Sequence, residues 1–169
     1  MENKLEFREI QQVSNDILQE LSMLLINVVD DGASIGFLPP LSMRNAEEYW
    51  KGVVDTGVIL WIAKLDGDIV GSVQLHLCLK QNGKHRAEIA KLMVDPKARR
   101  MGVGRALMQI AEKRAKAEGR SLLVLDTRAG DPSNLLYKSI GYIEAGRIPK
   151  YAQSANGCLD ETVFYYKEI

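Results

Sequence analysis

Between Arg99 and Arg105 the chain reads Arg-Arg-Met-Gly-Val-Gly-Arg, and an apolar helical repeat begins there. Glycines let a backbone approach a ligand closely, and a helix N-terminus offers unpaired N–H groups with partial positive charge. Arg99, Arg100 and Arg105 add charge to that setting. These residue types at this spacing suit a bound phosphate. Two carboxylates suggest a different chemistry. Glu88 lies inside the apolar run "RAEIAKLMV", where an unpaired charge is costly. Asp126 ends "LLVLD", at the carboxyl edge of a strand, where sites of α/β folds gather. Such groups can move protons, or can be structural ion-pair partners of Arg86, Lys91 or Arg128.

Two phosphate sites are poor matches for the glycine loop. A P-loop requires Gly-Lys-Ser/Thr, but Arg105-Ala106 follows Gly104. A dinucleotide fingerprint needs a third glycine or alanine where Leu107 stands, and it opens the first βα unit of its sheet. Here a strand meander precedes the loop.

The elements that must position these groups follow from periodicity. "LEFREI" alternates as a short strand. Asn15 or Asp16 caps a helix to about Val29, with Ile17, Leu21, Leu24, Leu25 and Val28 on one face. Ser42 caps a second helix to about Val54. "GVILWIAKL" and "DIVGSVQLHLCL" form a hairpin, and "HRAEIAKLMV" is the next strand, stopped by Asp95-Pro96. A helix from about Gly102 to Glu118 turns Val103, Leu107, Ile110 and Ala111 inward. "SLLVLDT" is a continuous apolar strand of the parallel-sheet type. A short helix from Asn134 to Ser139 and the strands "GYIEAG" and "ETVFYYKEI" complete the chain. The order β-α-α-β-β-β-α-β-α-β-β implies a mixed α/β (α+β) layered domain over residues 1–169.

Composition limits the function. The chain has 169 residues, 22 basic and 22 acidic, for a formal net charge of zero. That argues against a general binder of nucleic acid or membrane surfaces. Residues 80–120 nevertheless hold 12 Lys or Arg against 4 Asp or Glu, so positive charge gathers around the glycine loop. Cys78 and Cys158 are far apart without metal-type spacing, and no metal site is expected. A polar start, no membrane-length apolar run and two reduced thiols lead us to expect a cytoplasmic protein.

The longer pattern is a strand, Val94-Asp95-Pro96, then Arg99-x-x-Gly102-x-Gly104 opening a helix, then Asn134-x-x-Tyr137-x-x-x-Gly141-Tyr142. It resembles the GNAT superfamily of N-acetyltransferases, and the likeness in element order covers nearly the whole chain. Arg100 departs from the pattern, since many members have glycine there. The resemblance implies the GNAT fold: a sheet of about seven strands with a splayed fourth and fifth pair, and about four helices. It implies acetyl-CoA as cosubstrate. Its pyrophosphate would lie at Arg99, Arg100, Met101, Gly102, Val103, Gly104 and Arg105, with Asn134 and Tyr137 as further contacts. Its pantetheine arm would pair with the backbone of Leu92, Met93 and Val94, adding a strand to the open edge.

Direct acetyl transfer to an amine, as the resemblance implies, needs a proton acceptor, a donor to the oxyanion and an acid for the leaving thiolate. Glu88 and Asp126 are the base candidates, and Tyr137 matches the family's proposed acid. A covalent route through Cys78 or Cys158 lacks a neighbouring base in the sequence. "DGASIGF", "NGKHRAEIAKLMVDPKAR", "LDTRAG" and "IPKY" are similar to tabtoxin-resistance acetyltransferases, which acetylate an amino-acid-like toxin. On that likeness Asp31, Ser34 and Phe37 form one substrate wall, and Tyr151, in a late loop, closes the other. The expected acceptor is a small-molecule amine. A protein or peptide amine, or a non-catalytic acyl-CoA sensor, are the alternatives. Family members often dimerise, so a homodimer is a further expectation.

Overall fold

The computed structural model describes residues 4–169. In chain order the elements are β1 (Leu5–Ile10), α1 (Asn15–Asp30), α2 (Met43–Lys51), β2 (Val58–Leu65), β3 (Asp68–Leu77) and β4 (Arg86–Val94). Then come α3 (Val103–Ala117), β5 (Leu122–Arg128), α4 (Ser133–Ser139), β6 (Ile143–Gln153) and β7 (Leu159–Glu168). The strands make one seven-stranded sheet in the order β1-β2-β3-β4-β5-β7-β6. Neighbours are antiparallel except β4 and β5, which are parallel.

Side-chain alternation sorts the sheet into two cores. Leu60 and Ile62 of β2 point to α1 and α2, joining Leu21, Leu24, Leu25, Val28 and Trp50. Trp61 and Ala63, one residue out of phase, point to the other face with Val103, Leu107, Met108 and Ala111 of α3. Each fully buried leucine or valine here contributes about 1.5–3 kcal/mol relative to exposure.

Local chemistry sets the helix starts. Ser42 caps α2 as expected, its hydroxyl accepting from the Asn45 N–H at 3.2 Å. The α1 cap is Ser14, not Asn15 or Asp16; its side chain accepts from Ile17 N–H and its backbone is extended. That conformation places Asp16 in the first turn, where a carboxylate favours the helix dipole. The second helix ends at Lys51, short of Val54, because the Gly52 and Val53 N–H groups turn back to Tyr49 and Trp50.

Two strands differ from their sequence reading. β5 is parallel to β4 over three residue pairs only, Arg86↔Leu122 to Glu88↔Val124, and antiparallel to β7 along its whole length. β6 continues past Gly146 to Gln153, so Tyr151 belongs to an edge strand and not to a loop. Proline at 149 fits that place, since an edge tolerates a missing N–H and the register breaks between Ile148 and Ala152.

Candidate active site

β4 changes face part-way along. Its partners in β3 run from Ala87↔Leu77 to Ala90↔Gln74, then jump to Met93↔Ser72. Lys91 and Leu92 therefore stand against the single residue Val73, which is a β-bulge. Lys91 adopts φ +53° there. Before the bulge Ala87 and Ile89 face α3, whereas Met93 beyond it faces α1. The pairing with β5 has already stopped at Glu88, before the bulge. Beyond Glu88, no strand among the described residues pairs with the β5-side edge of β4, and its backbone groups line an open gap.

Glu88 sits where the gap opens. Leu123 and Leu125 of β5 point into the α3 core, so Val124, Asp126 and Arg128 take the opposite face, which Glu88 shares. Both carboxylates stay open to solvent within the groove, yet the surrounding protein crowds them. Burial pushes the Glu88 carboxyl up, and nearby Asp126 pushes it further. Burial likewise raises Asp126. Lys91 opposes both shifts. Groups so poised accept protons more readily than ordinary surface carboxylates.

Of the three expected cationic partners, only Lys91 acts on this pair. Arg86 turns to the Cys78 Sγ at 3.5 Å. Arg128 pairs with Asp131 at 3.0 Å and also donates to Ser154 Oγ at 3.0 Å and the Gly32 carbonyl at 2.8 Å. It thereby joins the α1–α2 loop, the β5–α4 loop and the β6–β7 turn.

A cavity of about 240 Å³ lies over Arg128. Ser34, Phe37, Leu38 and Pro39 form one wall, and Ala152 to Ala155 form the other. Ser34 and Phe37 thus line a concave surface together. Asp31 lies elsewhere: its carboxylate meets the Arg99 guanidinium at 2.5 Å. Tyr151 is 51% exposed and packs edge-on against Phe164, outside that lining.

The α3 end of the gap is made of backbone. Gly102, the N-cap residue, has φ +80°, and no side chain caps the helix. Among the described residues, the N–H groups of residues 100–105 find no acceptor in the chain. Unpaired N–H groups at a helix start are donors that an anion can accept from. Arg100 holds φ +61°, a conformation in which glycine is easier. Arg105 reaches back to Ser139 Oγ at 2.9 Å.

Tyr137 comes from α4 on the α3 side of the sheet. It is 7% exposed, and its ring packs against Tyr142 and Tyr165. Burial raises its hydroxyl pKa strongly and Asp126 adds to this, so it remains a proton donor at neutral pH. Asn134 uses its amide internally. It donates to the Arg128 and Asp131 carbonyls, both at 2.9 Å, and accepts from the Tyr165 hydroxyl at 2.7 Å. This fixes α4 on the end of β5.

Sequence reading missed a polar chain beside Glu88. His76 is its cross-strand partner. The His76 ring bonds Gln74 Oε1 at 2.8 Å, and Gln74 Nε2 donates to the Tyr49 hydroxyl at 2.9 Å. Burial and Lys91 lower the His76 pKa, which favours the neutral ring. The alternation Gln74-x-His76 within an apolar strand was the available signal.

A splayed parallel pair, a bulge in β4 and an uncapped glycine-led helix between them bear directly on ancestry. Residues 15–142 match the model of the acetyltransferase (GNAT) family. The chain belongs to that family. It is 36% identical over 114 residues to an uncharacterized N-acetyltransferase of Azospirillum brasilense, covering 66% of this chain and 68% of that one. It is 29% identical over 115 residues to the ribosomal protein bS18-alanine N-acetyltransferase of Escherichia coli, covering 61% and 78%. A GNAT acetyltransferase of Streptococcus pneumoniae superposes with TM-score 0.81 at 20% identity, covering 98% of this chain and 100% of that one. The yncA protein of Salmonella typhimurium, solved with its cofactor acetyl-CoA, gives 0.79 at 14%, covering 97% and 93%. The fold is the GNAT fold, the enzyme class is N-acetyltransferase, and the family's acyl donor is acetyl-CoA. No helix among the described residues is long and apolar enough to cross a membrane.

Proposed function

We propose that this GNAT enzyme transfers acetyl from acetyl-CoA directly to the primary amine of a small, amino-acid-like molecule. The observation that carries this reading is that Glu88 and Asp126 share one face of the sheet at the opening of the β4–β5 gap, the same face as Arg128, which lines the cavity. A cavity of about 240 Å³ suits a compact acceptor better than an extended polymer. The likeness of "DGASIGF" and "LDTRAG" to tabtoxin-resistance enzymes supports the same class.

Acetyl-CoA supplies an activated thioester. Residues 99–105 hold its pyrophosphate through the free N–H nest, and the open edge at Leu92–Val94 pairs with its pantetheine amides. Glu88 and Asp126 attract the cationic amine and take its proton, since only the neutral form attacks. Tyr137, on the far side of the gap, gives a proton to the departing thiolate. Arg99, held by Asp31, docks the coenzyme loop against the end of α1. Cys78 is half-buried against Arg86 and Cys158 lies in an exposed turn, so neither is set to carry the acetyl group.

A second reading is acetylation of a peptide N-terminus, favoured by the E. coli relative that acts on a ribosomal protein alanine. An amine panel decides. Thiol release from acetyl-CoA is followed with amino-acid-like amines and with peptides beginning in alanine. Turnover of the small amines supports the first reading. Turnover confined to peptides replaces it. Coenzyme binding without thiol release for any amine overturns both.

A further inference from the structure

We infer that Lys91 is a positioning residue of this reaction: its ammonium fastens the acceptor-wall loop to the β4 bulge and presents the positive charge that faces Glu88 and Asp126. The inference rests on the reading of those carboxylates as the proton acceptors.

The geometry is specific. The bulge gives Lys91 a left-handed backbone and turns its side chain toward the α1–α2 loop. There Nζ donates to the Ile35 carbonyl at 2.6 Å and lies 5.8 Å from the centre of the Phe37 ring. Gly36 makes room for it, since a Cβ at that position would come within 3.1 Å of Nζ. Phe37 in turn stacks edge-on against Tyr49 at 5.1 Å and lines the cavity. One cation therefore joins the strand that carries Glu88 to the loop that receives the acceptor.

The charges around it are of mixed sign. β4 itself contributes Glu88, β5 contributes Asp126 and β3 contributes His76, while the Tyr49 hydroxyl of α2 is taken by Gln74. Arg128 lies on the same face of β5 but is held by Asp131. Lys91 is half-buried, and both carboxylates favour its charged form against that burial. The reciprocal effect is that Lys91 keeps the carboxylates from rising further. Removing its charge makes them harder to ionise, so the active base form requires higher pH.

The test compares Lys91→Met, Lys91→Gln and Lys91→Arg in the full chain. Each replacement carries the same positive-φ cost, so backbone strain is matched across the set. Carboxyl 13C NMR follows the Glu88 and Asp126 titrations without substrate, and steady-state kinetics follows the pH profile. In Lys91→Met the carboxyl midpoints and the acid limb of kcat/KM move up by about one pH unit, and acceptor KM rises about tenfold with coenzyme KM unchanged. Lys91→Gln keeps a donor for Ile35, so the midpoints move as in the methionine variant while acceptor KM rises less. Lys91→Arg returns the midpoints to the parent value. Midpoints unmoved in Lys91→Met and Lys91→Gln, or equally moved in Lys91→Arg, overturn the charge role. An unchanged acceptor KM in Lys91→Met overturns the fastening role. If the enzyme acetylates no amine at all, the proposed function fails, and the NMR titration still decides the charge role.

Discussion

The two sides of the β4–β5 gap are built by different means. The side proposed to hold the donor is backbone: an uncapped helix start, a glycine at φ +80° and an open strand edge, drawn mainly from residues 92–105. The side proposed to hold the acceptor is side chain. Its wall takes Ser34 and Phe37 from one loop, Arg128 from a strand 91 residues later, and Ala152–Ala155 from a turn beyond that. A backbone site for a constant phosphate tolerates varied side chains, and on the proposed reading Arg100, at φ +61°, stands at such a position. A side-chain wall assembled from distant segments changes with each substitution. One fold can thereby keep its donor and vary its acceptor.

The sharpest test falls at the junction of the two sides. Joint replacement of Glu88→Gln and Asp126→Asn lowers kcat/KM for the amine by about 10²–10⁴-fold, with coenzyme affinity retained. Full activity would remove both from proton transfer. In the parent enzyme burial raises both carboxyls, so the acid limb of kcat/KM lies above the ordinary carboxylate range, and activity is lost as pH falls through it. An acid limb near pH 4 would refute that.

On the donor side, Tyr137→Phe removes one hydroxyl and leaves the ring packing. It lowers kcat by roughly 10²-fold while coenzyme affinity stays within about twofold. An unaffected rate sinks the acid role.

Gly102→Val forces a β-branched side chain into a left-handed conformation at a cost of about 1–2 kcal/mol. Coenzyme affinity measured by calorimetry drops about tenfold or more, with acceptor KM little changed. Equal loss on both sides would erase the contrast between them.

The smallest effect is on the acceptor wall. Phe37→Ala removes the edge-on contact with Tyr49 and the face that Lys91 covers, and raises acceptor KM roughly three- to tenfold. Tyr151→Ala, outside the cavity lining, raises it less. A larger effect at Tyr151 would move the acceptor toward β6.

Local signals made the glycine-led start of α3 legible in the sequence. Gly102 and Gly104 are adjacent in the chain to the helix they open, and the start of α3 follows from them within a residue. Glu88 and Asp126 were visible as charges in apolar strands. Their common face was not, because it depends on the register Glu88↔Val124 between strands 36 residues apart. The polar chain Tyr49–Gln74–His76 was hidden for the same reason. Asp31 and Ser34 are three residues apart in one loop, yet the loop sends Asp31 to Arg99 and Ser34 to the cavity.

By itself the sequence determined the element order, and it pointed to the family and to the acyl donor that the family uses. These depend on periodicity, turn chemistry and helix ends, which act over a few residues. The tertiary structure decided the rest. A two-for-one bulge at Lys91 and Leu92 exchanged the faces of β4, and β4 and β5 part just before it, after Glu88. The bulge also carried Lys91 to the acceptor loop. Side chains alternate along a strand, so a one-residue change of register moves every later group to the other face. That register is fixed only when the strands pair.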